Sequence, residues 1–245
     1  RSLAHAQAQT RLAVEYILVD NASTDETVEG ASKVSGLRVI ANQENLGFAA
    51  GNNAGMRAAR GRSVVLLNND TLVPPGWLDR LHAHARSIGR VGIIGPSTNT
   101  EPGQALFGAR YNGLDEFFAY NREIGRTHRG QWELCEKISG LCMYVPRKVI
   151  DEVGLLSEDY GLGYFEDDDY CFRVRDAGYR TIWAKDIYVH HFGSVSFENS
   201  GVSREQHLSY GMSQFIFKWG KRALKHIAKS HRHTLIKPAE PQLHS

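Results

Sequence analysis

A short apolar, β-branched run, residues 63–67, ends abruptly in two amides and a carboxylate, Asn68, Asn69 and Asp70. This pattern predicts a buried strand whose carboxyl end opens into a ligand site, as in open α/β sheets. Asp70, with Asn68 two residues earlier, offers the oxygen ligands that a hard divalent cation prefers. The alternative is that these residues only form the turn after the strand.

Further apolar runs alternate with stretches that favour helices. The predicted strands cover residues 14–20, 37–41, 63–67, 91–95, 138–145 and 179–184, and residues 1–11 are expected to end an amphipathic helix. Such alternation predicts an α/β fold with a mostly parallel central sheet flanked by helices. Ser23 and Glu26 have the spacing of a capping box, which predicts that Ser23 caps the helix after the first strand.

Residues 45–55 combine three glycines with several asparagines. Glycines allow the backbone to approach a ligand closely, and amide side chains offer both hydrogen-bond donors and acceptors. This segment therefore favours a ligand-binding loop that leads into a helix. The alternative is an ordinary helix start that is weakened by glycine.

Four consecutive acids, residues 166–169, open a predicted helix. The helix dipole favours carboxylates at this end, which gives a purely structural explanation. Four adjacent carboxylates also repel one another, so a cation or an acid–base role explains the excess better. His190 and His191 precede a glycine turn, and a histidine beside a carboxylate-bound metal would complete the coordination sphere of that metal.

The sequence also contains one irregular region and one basic region. Residues 96–133 are rich in Asn, Gly, Arg and aromatic residues, and a long insertion of this kind is typical of a functional loop. Residues 206–239 contain seven Lys or Arg and no acid. They predict a basic amphipathic helix that would lie on an anionic membrane surface or meet phosphate groups. The alternative is a solvated terminal helix.

Composition narrows the class of protein. A chain of 245 residues with 42% hydrophobic and 23% charged residues fits a soluble globular protein of one large domain, or one domain plus an appendage. Cys135, Cys142 and Cys171 have neither metal-binding nor paired spacing, which favours a reducing, cytoplasmic setting. A formal net charge of +2 favours no particular partner, and we expect no binding to nucleic acid.

Five motifs follow one another in a characteristic order. They are Val-Asp-Asn-Ala-Ser-Thr-Asp (19–25), Asn-x-Gly-Phe-x-x-Gly-x-Asn-x-Gly (45–55), Leu-Leu-Asn-Asn-Asp-Thr (66–71), Gly-x-x-Glu-Asp-Asp-Asp-x-Cys-x-Arg-x-x-x-Ala-Gly-Tyr (163–179) and His-His-Phe-Gly-Ser-x-Ser (190–196). Together they resemble the family 2 glycosyltransferases, most closely the rhamnosyltransferase-like bacterial branch. The resemblance implies the GT-A fold, a nucleotide-binding α/β sandwich, in a domain of residues 1–200, followed by a basic C-terminal helix and tail, residues 201–245.

The resemblance also implies a metal and nucleotide site. Asp70 resembles the last acid of the Asp-x-Asp metal motif of the family, and Asn68 stands where the first acid often stands, so the site loses one charge. The implied cofactor is Mn²⁺ or Mg²⁺, with His191, or else His190, as a further ligand. The residues implied to bind the nucleotide are Asp20, Asn21, Asn45, Gly47, Asn53 and Asn68.

The acidic helix start is implied to carry the catalytic base. Asp167 resembles the carboxylate that takes the proton of the acceptor hydroxyl as this group attacks the anomeric carbon. Glu166 and Asp169 would then orient the acceptor or hold the helix start. Arg173 is expected to be a structural partner of these acids.

One strand of the implied fold is not in the sequence. The resemblance implies a strand before Arg1 that lies centrally in the sheet, so we expect the first strand to be missing. Its absence would leave unpaired backbone groups that cost several kcal/mol in aggregate. We therefore expect this chain, by itself, to be poorly stable or inactive.

The leading functional hypothesis is a metal-dependent inverting glycosyltransferase of bacterial surface glycan synthesis. It would move a sugar from a dTDP- or UDP-sugar to a hydroxyl of a glycan or lipid-linked saccharide, with peripheral membrane contact through the C-terminal helix. One alternative is a nucleotide-sugar-binding module without turnover, which the missing strand and Asn68 both permit. A metal-dependent phosphohydrolase is a third reading, and it would need a second carboxylate near Asp70, where the neighbours are amides.

Overall fold

The computed structural model describes residues 6, 9–101, 103–104, 109–193 and 203–234. The strands in this part of the chain are β1 (Tyr16–Asp20), β2 (Leu37–Ala41), β3 (Ser63–Leu67), β4 (Thr71–Leu72), β5 (Val91–Thr98), β6 (Trp132–Leu134), β7 (Cys142–Pro146) and β8 (Arg180–His191). The helices are α1 (Thr27–Ser32), α2 (Gly47–Ala58), α3 (Trp77–Ser87), α4 (Leu114–Thr127), α5 (Arg147–Val153), α6 (Glu166–Asp176), α7 (Arg204–Trp219) and α8 (Lys221–Thr234). The helix predicted in residues 1–11 lies mostly outside the described residues.

The strands form two sheets, with helices packed against them. β1 and β2 pair in parallel, and the larger sheet has the order β3-β7-β5-β8-β4, with β6 also paired to β8. The predicted α/β fold with a central sheet and flanking helices is confirmed. The mostly parallel arrangement is wrong for the larger sheet, where only β5 and β8 are parallel among the described pairs.

The route of the chain between β5 and β7 explains the antiparallel pairs. β7 begins at the edge of the sheet where β3 ends, since Leu67 pairs with Cys142. Ile94 of β5 pairs with Tyr144 of β7 in the antiparallel direction. The carboxyl end of β5 and the start of β7 therefore lie at the same edge of the sheet. A strand that starts at the edge where an earlier strand ended must run antiparallel to that strand.

The sheet structure is divided between β1 and β3. Among the described residues, β1 pairs with β2 and β3 pairs with β7, so each has one edge without a partner strand. α2 packs over β1, where a β-carbon on Gly55 would lie 3.2 Å from the side chain of Val19.

Apolar side chains cover both faces of the larger sheet. Leu81 of α3 and Ile94 of β5 belong to one buried cluster. Val149 of α5, Val174 of α6 and Ile93 of β5 belong to another. Neighbouring residues of one strand point to opposite faces, so Ile93 and Ile94 join the helices on the two sides to one sheet.

Residues 96–133 contain more regular structure than their sequence predicts. β5 continues to Thr98, and α4 and β6 lie within this region. Phe117 of α4 packs against Tyr188 of β8, with Tyr111 in the same aromatic cluster. The region is therefore partly a packed layer of the domain.

The predicted capping box after β1 is wrong. Oδ2 of Asp20 accepts the N–H of Ser23 at 3.1 Å, and Oδ1 of Asp25 accepts the N–H of Thr27 at 3.0 Å. α1 begins only at Thr27, and Glu26 in the N-cap position makes no side-chain cap hydrogen bond. The two aspartates satisfy backbone amides of the turn instead.

The basic C-terminal region forms two helices. Ser203 and Gln206 make a reciprocal capping box at the start of α7, and Gly220, with a φ of 53°, separates α7 from α8. Phe215 of α7 packs edge-on against Phe172 of α6, which joins the helices to the domain. Within the described ranges, no helix combines the length and apolar character that crossing a bilayer requires.

Candidate active site

Asp20 and Asn21 lie at the carboxyl end of β1. Asp20 is buried, at 4% exposure. Asn21 donates from Nδ2 to the carbonyl oxygen of Gly47 at 3.0 Å and accepts a hydrogen bond from Nδ2 of Asn42 at 2.8 Å. These contacts bring two of the segments predicted to bind a nucleotide side by side.

Gly47 begins α2 in the left-handed region, with a φ of 83°. Oδ1 of Asn45 accepts its N–H at 3.0 Å. A β-carbon at Gly47 would lie 2.7 Å from the carbonyl oxygen of Gly161, and Phe48 donates its N–H to the carbonyl oxygen of Leu162 at 2.9 Å. Only glycine permits both this dihedral angle and this close approach.

Asn53 is buried and uses its side-chain amide inside the protein. Its Nδ2 donates to the carbonyl oxygen of Leu156 at 2.9 Å and to Oε1 of Glu158 at 2.7 Å. Its Oδ1 accepts the N–H of Leu156 at 3.0 Å. Asn53 therefore ties α2 to the loop that leads into α6.

The carboxyl end of β3 carries Asn68 and Asp70. Asn68 donates its N–H to the carbonyl oxygen of Leu141 at 2.9 Å. Oδ1 of Asp70 is buried and has no hydrogen-bond partner within the described residues, yet it lies 3.1 Å from Nε2 of His191. A carboxylate oxygen and an imidazole nitrogen thus approach each other without the alignment of a hydrogen bond.

β8 presents its two histidines to different surroundings. His191 is held by Asn99, which accepts its N–H at 2.8 Å and donates to its carbonyl oxygen at 2.9 Å. His190 lies with Nδ1 2.5 Å from the hydroxyl of Tyr111 in the aromatic cluster. Burial and the neighbouring His191 lower the pKa of His190 to about 4, so its ring is neutral near pH 7. Of the two histidines, His191 is the one beside Asp70.

Asp169 is fully buried and anchors the C-terminal helices. It lies 2.8 Å from Nε of Arg173, Nζ of Lys218 and Nε1 of Trp219, and it accepts the hydroxyl of Tyr160 at 3.1 Å. Burial acts to raise the pKa of Asp169, but these donors outweigh it and lower the pKa below its usual value. The predicted role of Arg173 as a structural partner agrees with this contact.

Asp168 is held from two sides. Its carboxylate lies 2.8 Å from Nζ of Lys137 and 2.5 Å from Nε2 of His226 in α8. Burial opposes ionisation, yet these two partners hold the pKa of Asp168 well below its usual range. His226 also approaches Glu136 at 3.4 Å, and Lys229 pairs with the same glutamate at 2.5 Å. Basic residues of the C-terminal helices therefore neutralise acids of the domain.

Asp167 and Glu166 are the two acids of the turn with raised pKa values. Oδ2 of Asp167 accepts the N–H of Gly140 at 3.1 Å, and its Oδ1 lies 3.5 Å from Nζ of Lys137. Burial raises the pKa of Asp167 to about 6, although Lys137 acts to lower it. Burial, with the charge of Asp167, raises the pKa of Glu166 to about 8, and its Oε2 has no hydrogen-bond partner in the described residues.

Gly140 and Leu141, the two residues immediately before β7, connect the acidic turn with the end of β3. Gly140 donates its N–H to Asp167, and the next carbonyl oxygen, that of Leu141, accepts the N–H of Asn68. A β-carbon on Gly140 would lie 2.7 Å from Cζ of Phe48 in α2. Three of the five motifs therefore meet at this one segment.

Several residues that build this region are absent from the sequence-based predictions. Lys137 stands alone in an irregular stretch, and Gln104, whose Oε1 accepts the N–H of Ser139 at 2.8 Å, has no motif around it. A usable signal exists for Lys218 and His226, since a long run of basic residues without acids needs acidic partners elsewhere in the chain.

Comparisons with known proteins agree with this arrangement. The model of the family described as Glycosyl transferase family 2 matches residues 1–154. The chain is 27% identical over 244 residues to N-acetylglucosaminyl-diphospho-decaprenol L-rhamnosyltransferase of Mycobacterium tuberculosis, which covers 89% of this chain and 78% of that protein. It is 28% identical over 195 residues to "Uncharacterized protein y4gI" of Sinorhizobium fredii, covering 74% of this chain but only 21% of that longer protein.

A solved structure shows the same fold. The mannosyltransferase PcManGT from Pyrobaculum calidifontis, in complex with GDP-Man and Mn²⁺, superposes with a TM-score of 0.60 at 20% identity. The match covers 94% of this chain and 64% of that one. Since the family model covers more than half of the sequence, this chain belongs to glycosyl transferase family 2.

Proposed function

We propose that this chain transfers a sugar from a nucleotide-diphosphate donor to an acceptor hydroxyl, with inversion at the anomeric carbon. The observation that supports this most is Asp167, a buried carboxylate with a pKa raised to about 6, held by the same segment that holds the end of β3. A base whose pKa lies near the working pH combines a large ionised fraction with the ability to accept a proton.

In the proposed reaction, Asp167 takes the proton of the acceptor hydroxyl. The freed oxygen forms a bond to the anomeric carbon from the face opposite the diphosphate. The bond from that carbon to the diphosphate oxygen breaks, and its electron pair leaves with the nucleoside diphosphate. A single displacement of this kind inverts the anomeric centre, and general-base assistance contributes about 10²–10⁴-fold to the rate.

Asp70 and His191 fit a divalent cation, and we propose Mn²⁺ or Mg²⁺ there. Oδ1 of Asp70 is buried without a hydrogen-bond partner in the described residues and faces Nε2 of His191 at 3.1 Å. The described residues contain no group of three or more His, Cys, Asp or Glu side chains that could hold a metal. The remaining ligands would therefore be phosphate oxygens and water, as is usual for Mg²⁺ sites. A bound cation supplies neutralisation of the diphosphate charge.

The nucleotide would lie across the ends of β1 and α2. Asp20, Asn21, Asn45 and Gly47 form this surface, and the hydrogen bond from Asn21 to Gly47 keeps the two segments together. The sequence predicts that Asn53 binds the nucleotide directly. We propose an indirect role instead, because the side-chain amide of Asn53 already holds the loop before α6.

We propose a dTDP- or UDP-sugar as donor and a glycan or lipid-linked saccharide as acceptor, in bacterial surface glycan synthesis. The acceptor is supported by the name of the mycobacterial relative, which includes a diphospho-decaprenol saccharide. The GDP-Man bound by the Pyrobaculum calidifontis mannosyltransferase supports a sugar nucleotide as donor without selecting its base. The proposal includes no membrane contact, because Lys218, Arg222 and Lys229 pair with acids of the domain.

The test is release of nucleoside diphosphate from a panel of UDP-, dTDP- and GDP-sugars with Mn²⁺ and saccharide acceptors. Asp167→Asn should lower the release rate by about 10²-fold or more while the affinity for the nucleoside diphosphate stays unchanged. Asp176→Asn is the matched control, an acid at the exposed end of the same helix, and it should keep the wild-type rate. Equal loss of rate and affinity in Asp167→Asn would point to a structural role and contradict the proposal.

A second candidate is a nucleotide-sugar-binding module without turnover. The division between β1 and β3 and the amide of Asn68 at a metal position both favour it. The same panel separates the two functions. Donor binding without metal-dependent release of nucleoside diphosphate, for every donor and acceptor, would support the module. A phosphohydrolase is less favoured, since the described groups beside Asp70 are Asn68, Asn69 and His191.

A further inference from the structure

The base proposed above lies in an unfavourable electrostatic setting. Asp167 is 8% exposed, and Glu166 and Asp168 flank it on α6. Glu101, from the segment after β5, adds a further negative charge that acts to raise the pKa of Asp167. The buried thiol of Cys171 is close enough to interact with the Asp167 carboxylate, but its own pKa is raised well above the usual value by burial. A carboxylate surrounded in this way tends to take up a proton and lose its function as a base.

Lys137 is the cation that faces this carboxylate. Its Nζ lies 3.5 Å from Oδ1 of Asp167 and 2.8 Å from Oδ2 of Asp168. Burial acts to lower the pKa of Lys137, but Asp167, Asp168 and Glu101 outweigh it and raise the pKa well above the usual value, so the ammonium stays charged. The other donors to the Asp167 carboxylate are two neutral backbone N–H groups, that of Gly140 at 3.1 Å and that of Asp168 at 2.8 Å.

Asp168, which itself contacts His226, fixes the position of Lys137. Asp168 holds its Nζ with one carboxylate oxygen, while the other oxygen lies 2.5 Å from Nε2 of His226. His226 belongs to α8 and also approaches Glu136, the residue next to Lys137 in the chain. Asp168 is therefore matched by two positive or donating partners, and the ammonium of Lys137 bridges from it towards Asp167. This arrangement explains why an acid beside the base does not simply repel it.

We propose that Lys137 is a positioning residue that keeps Asp167 ionised and oriented until the acceptor hydroxyl is deprotonated. This inference rests on the proposed function of Asp167 as the base. Lys137 gives up no proton in the transfer. It stabilises the carboxylate before the hydroxyl proton moves, and it favours loss of that proton from Asp167 to water after the glycoside has left.

The experiment is the pH dependence of kcat/KM for nucleoside diphosphate release by the wild-type chain, Lys137→Met and Lys137→Arg. Loss of an opposite charge within 4–6 Å should move the acidic limb of the profile upward by about 1–3 pH units in Lys137→Met. At pH 5, below the acidic limb of both variants, the rate should then fall about tenfold for each pH unit of that displacement and recover in alkaline buffer. Lys137→Arg keeps the charge and should restore an acidic limb close to that of the wild type.

Lys185→Met is the matched control, since Lys185 pairs with Glu133 of β6 and packs over Trp183, away from Asp167. Its acidic limb should coincide with that of the wild type. If Lys137→Met does not fold, Lys137→Gln, which can still donate hydrogen bonds, takes its place with the same expected displacement.

An unchanged acidic limb in a folded, charge-removing variant would overturn the inference, and so would a uniform loss of rate at every pH. The parallel Asp167→Asn variant keeps the two proposals apart. If Asp167→Asn retains wild-type turnover, the base assignment itself fails. If Asp167→Asn is inactive and the limb of Lys137→Met is unmoved, only the role of Lys137 fails.

Discussion

Gly140 sets how closely Asp167, the proposed base, can approach α2. A β-carbon there would lie 2.7 Å from Cζ of Phe48 and 3.8 Å from Cβ of Asp167. Its N–H is also one of the few donors that reach the Asp167 carboxylate. The absence of a side chain at one residue thus allows α2, β7 and the acidic turn of α6 to meet.

Alanine substitutions of the two adjacent histidines of β8 should have different effects on metal affinity and on stability. His191→Ala should weaken Mn²⁺ affinity in the presence of UDP by at least about tenfold, because it removes a nitrogen that faces Asp70. His190→Ala should leave Mn²⁺ affinity unchanged and lower the unfolding temperature, because a buried ring packed against Tyr111 and Phe192 is lost. Titration calorimetry and thermal unfolding measure the two effects. Loss of metal affinity in His190→Ala alone would reverse the assignment.

The acids in the first turn of α6 have two different sets of contacts. Asp168 and Asp169 hold α7 and α8, whereas Asp167 faces the segment before β7. The basic C-terminal helices therefore act as partners of the acidic helix. Lys218 of α7, together with Arg173 and Lys137, offsets part of the repulsion that four consecutive carboxylates would otherwise have.

This division predicts unequal costs for removing two acids of α6. Asp169→Ala should lower the free energy of unfolding by about 3 kcal/mol, because it leaves Arg173 and Lys218 without their carboxylate partner in a largely buried setting. Asp176→Ala breaks an ion pair with Arg222 whose side chains are both about half exposed, so it should cost at most about 1 kcal/mol. Urea unfolding measures both, and equal costs would contradict a structural role for Asp169.

Sequence patterns predict some of these elements well and others poorly. The strands β1, β2, β3, β5 and β7 overlap the predicted apolar runs, and in β5 the run is continuous because that strand is buried on both faces. The last predicted strand ends at residue 184, whereas β8 continues to His191. Helix α4 could have been predicted, since its apolar residues have helical spacing: Leu114, Phe117, Phe118 and Ile124. Neighbouring glycines and asparagines, which are typical of loops, make this pattern hard to recognise. The capping box failed because Asp20 competes for the N–H of Ser23.

The candidate site shows the same limit. Asp70 and Asp167 stand in motifs from which the sequence predicts a metal ligand and a catalytic base. Their surroundings come from pairs that are distant along the chain: Lys137 and Asp168 are 31 residues apart, and His226 and Asp168 are 58 apart. Local sequence patterns give no information on pairs so far apart, so the electrostatic environment of Asp167 follows only from the folded chain.

For the whole molecule, the division between β1 and β3 predicts uneven stability. Backbone N–H groups of β3 that do not bond to β7, and those of β1 that do not bond to β2, should exchange with solvent faster than those of β5, which lies between β7 and β8. Hydrogen exchange followed by mass spectrometry measures this difference. Equal protection of β3 and β5 would show that the open edges are covered in solution.

We propose that Asp70 and Asp167 act on one nucleotide sugar from two sides of a single cleft. Crystals of the wild-type chain soaked with UDP or dTDP and Mn²⁺ test it through the anomalous signal of manganese. We expect a manganese peak about 2 Å from Oδ1 of Asp70 and Nε2 of His191, with the diphosphate between this peak and Asp167. A manganese peak elsewhere, or a diphosphate that ends on the far side of β3 from Asp167, would contradict it.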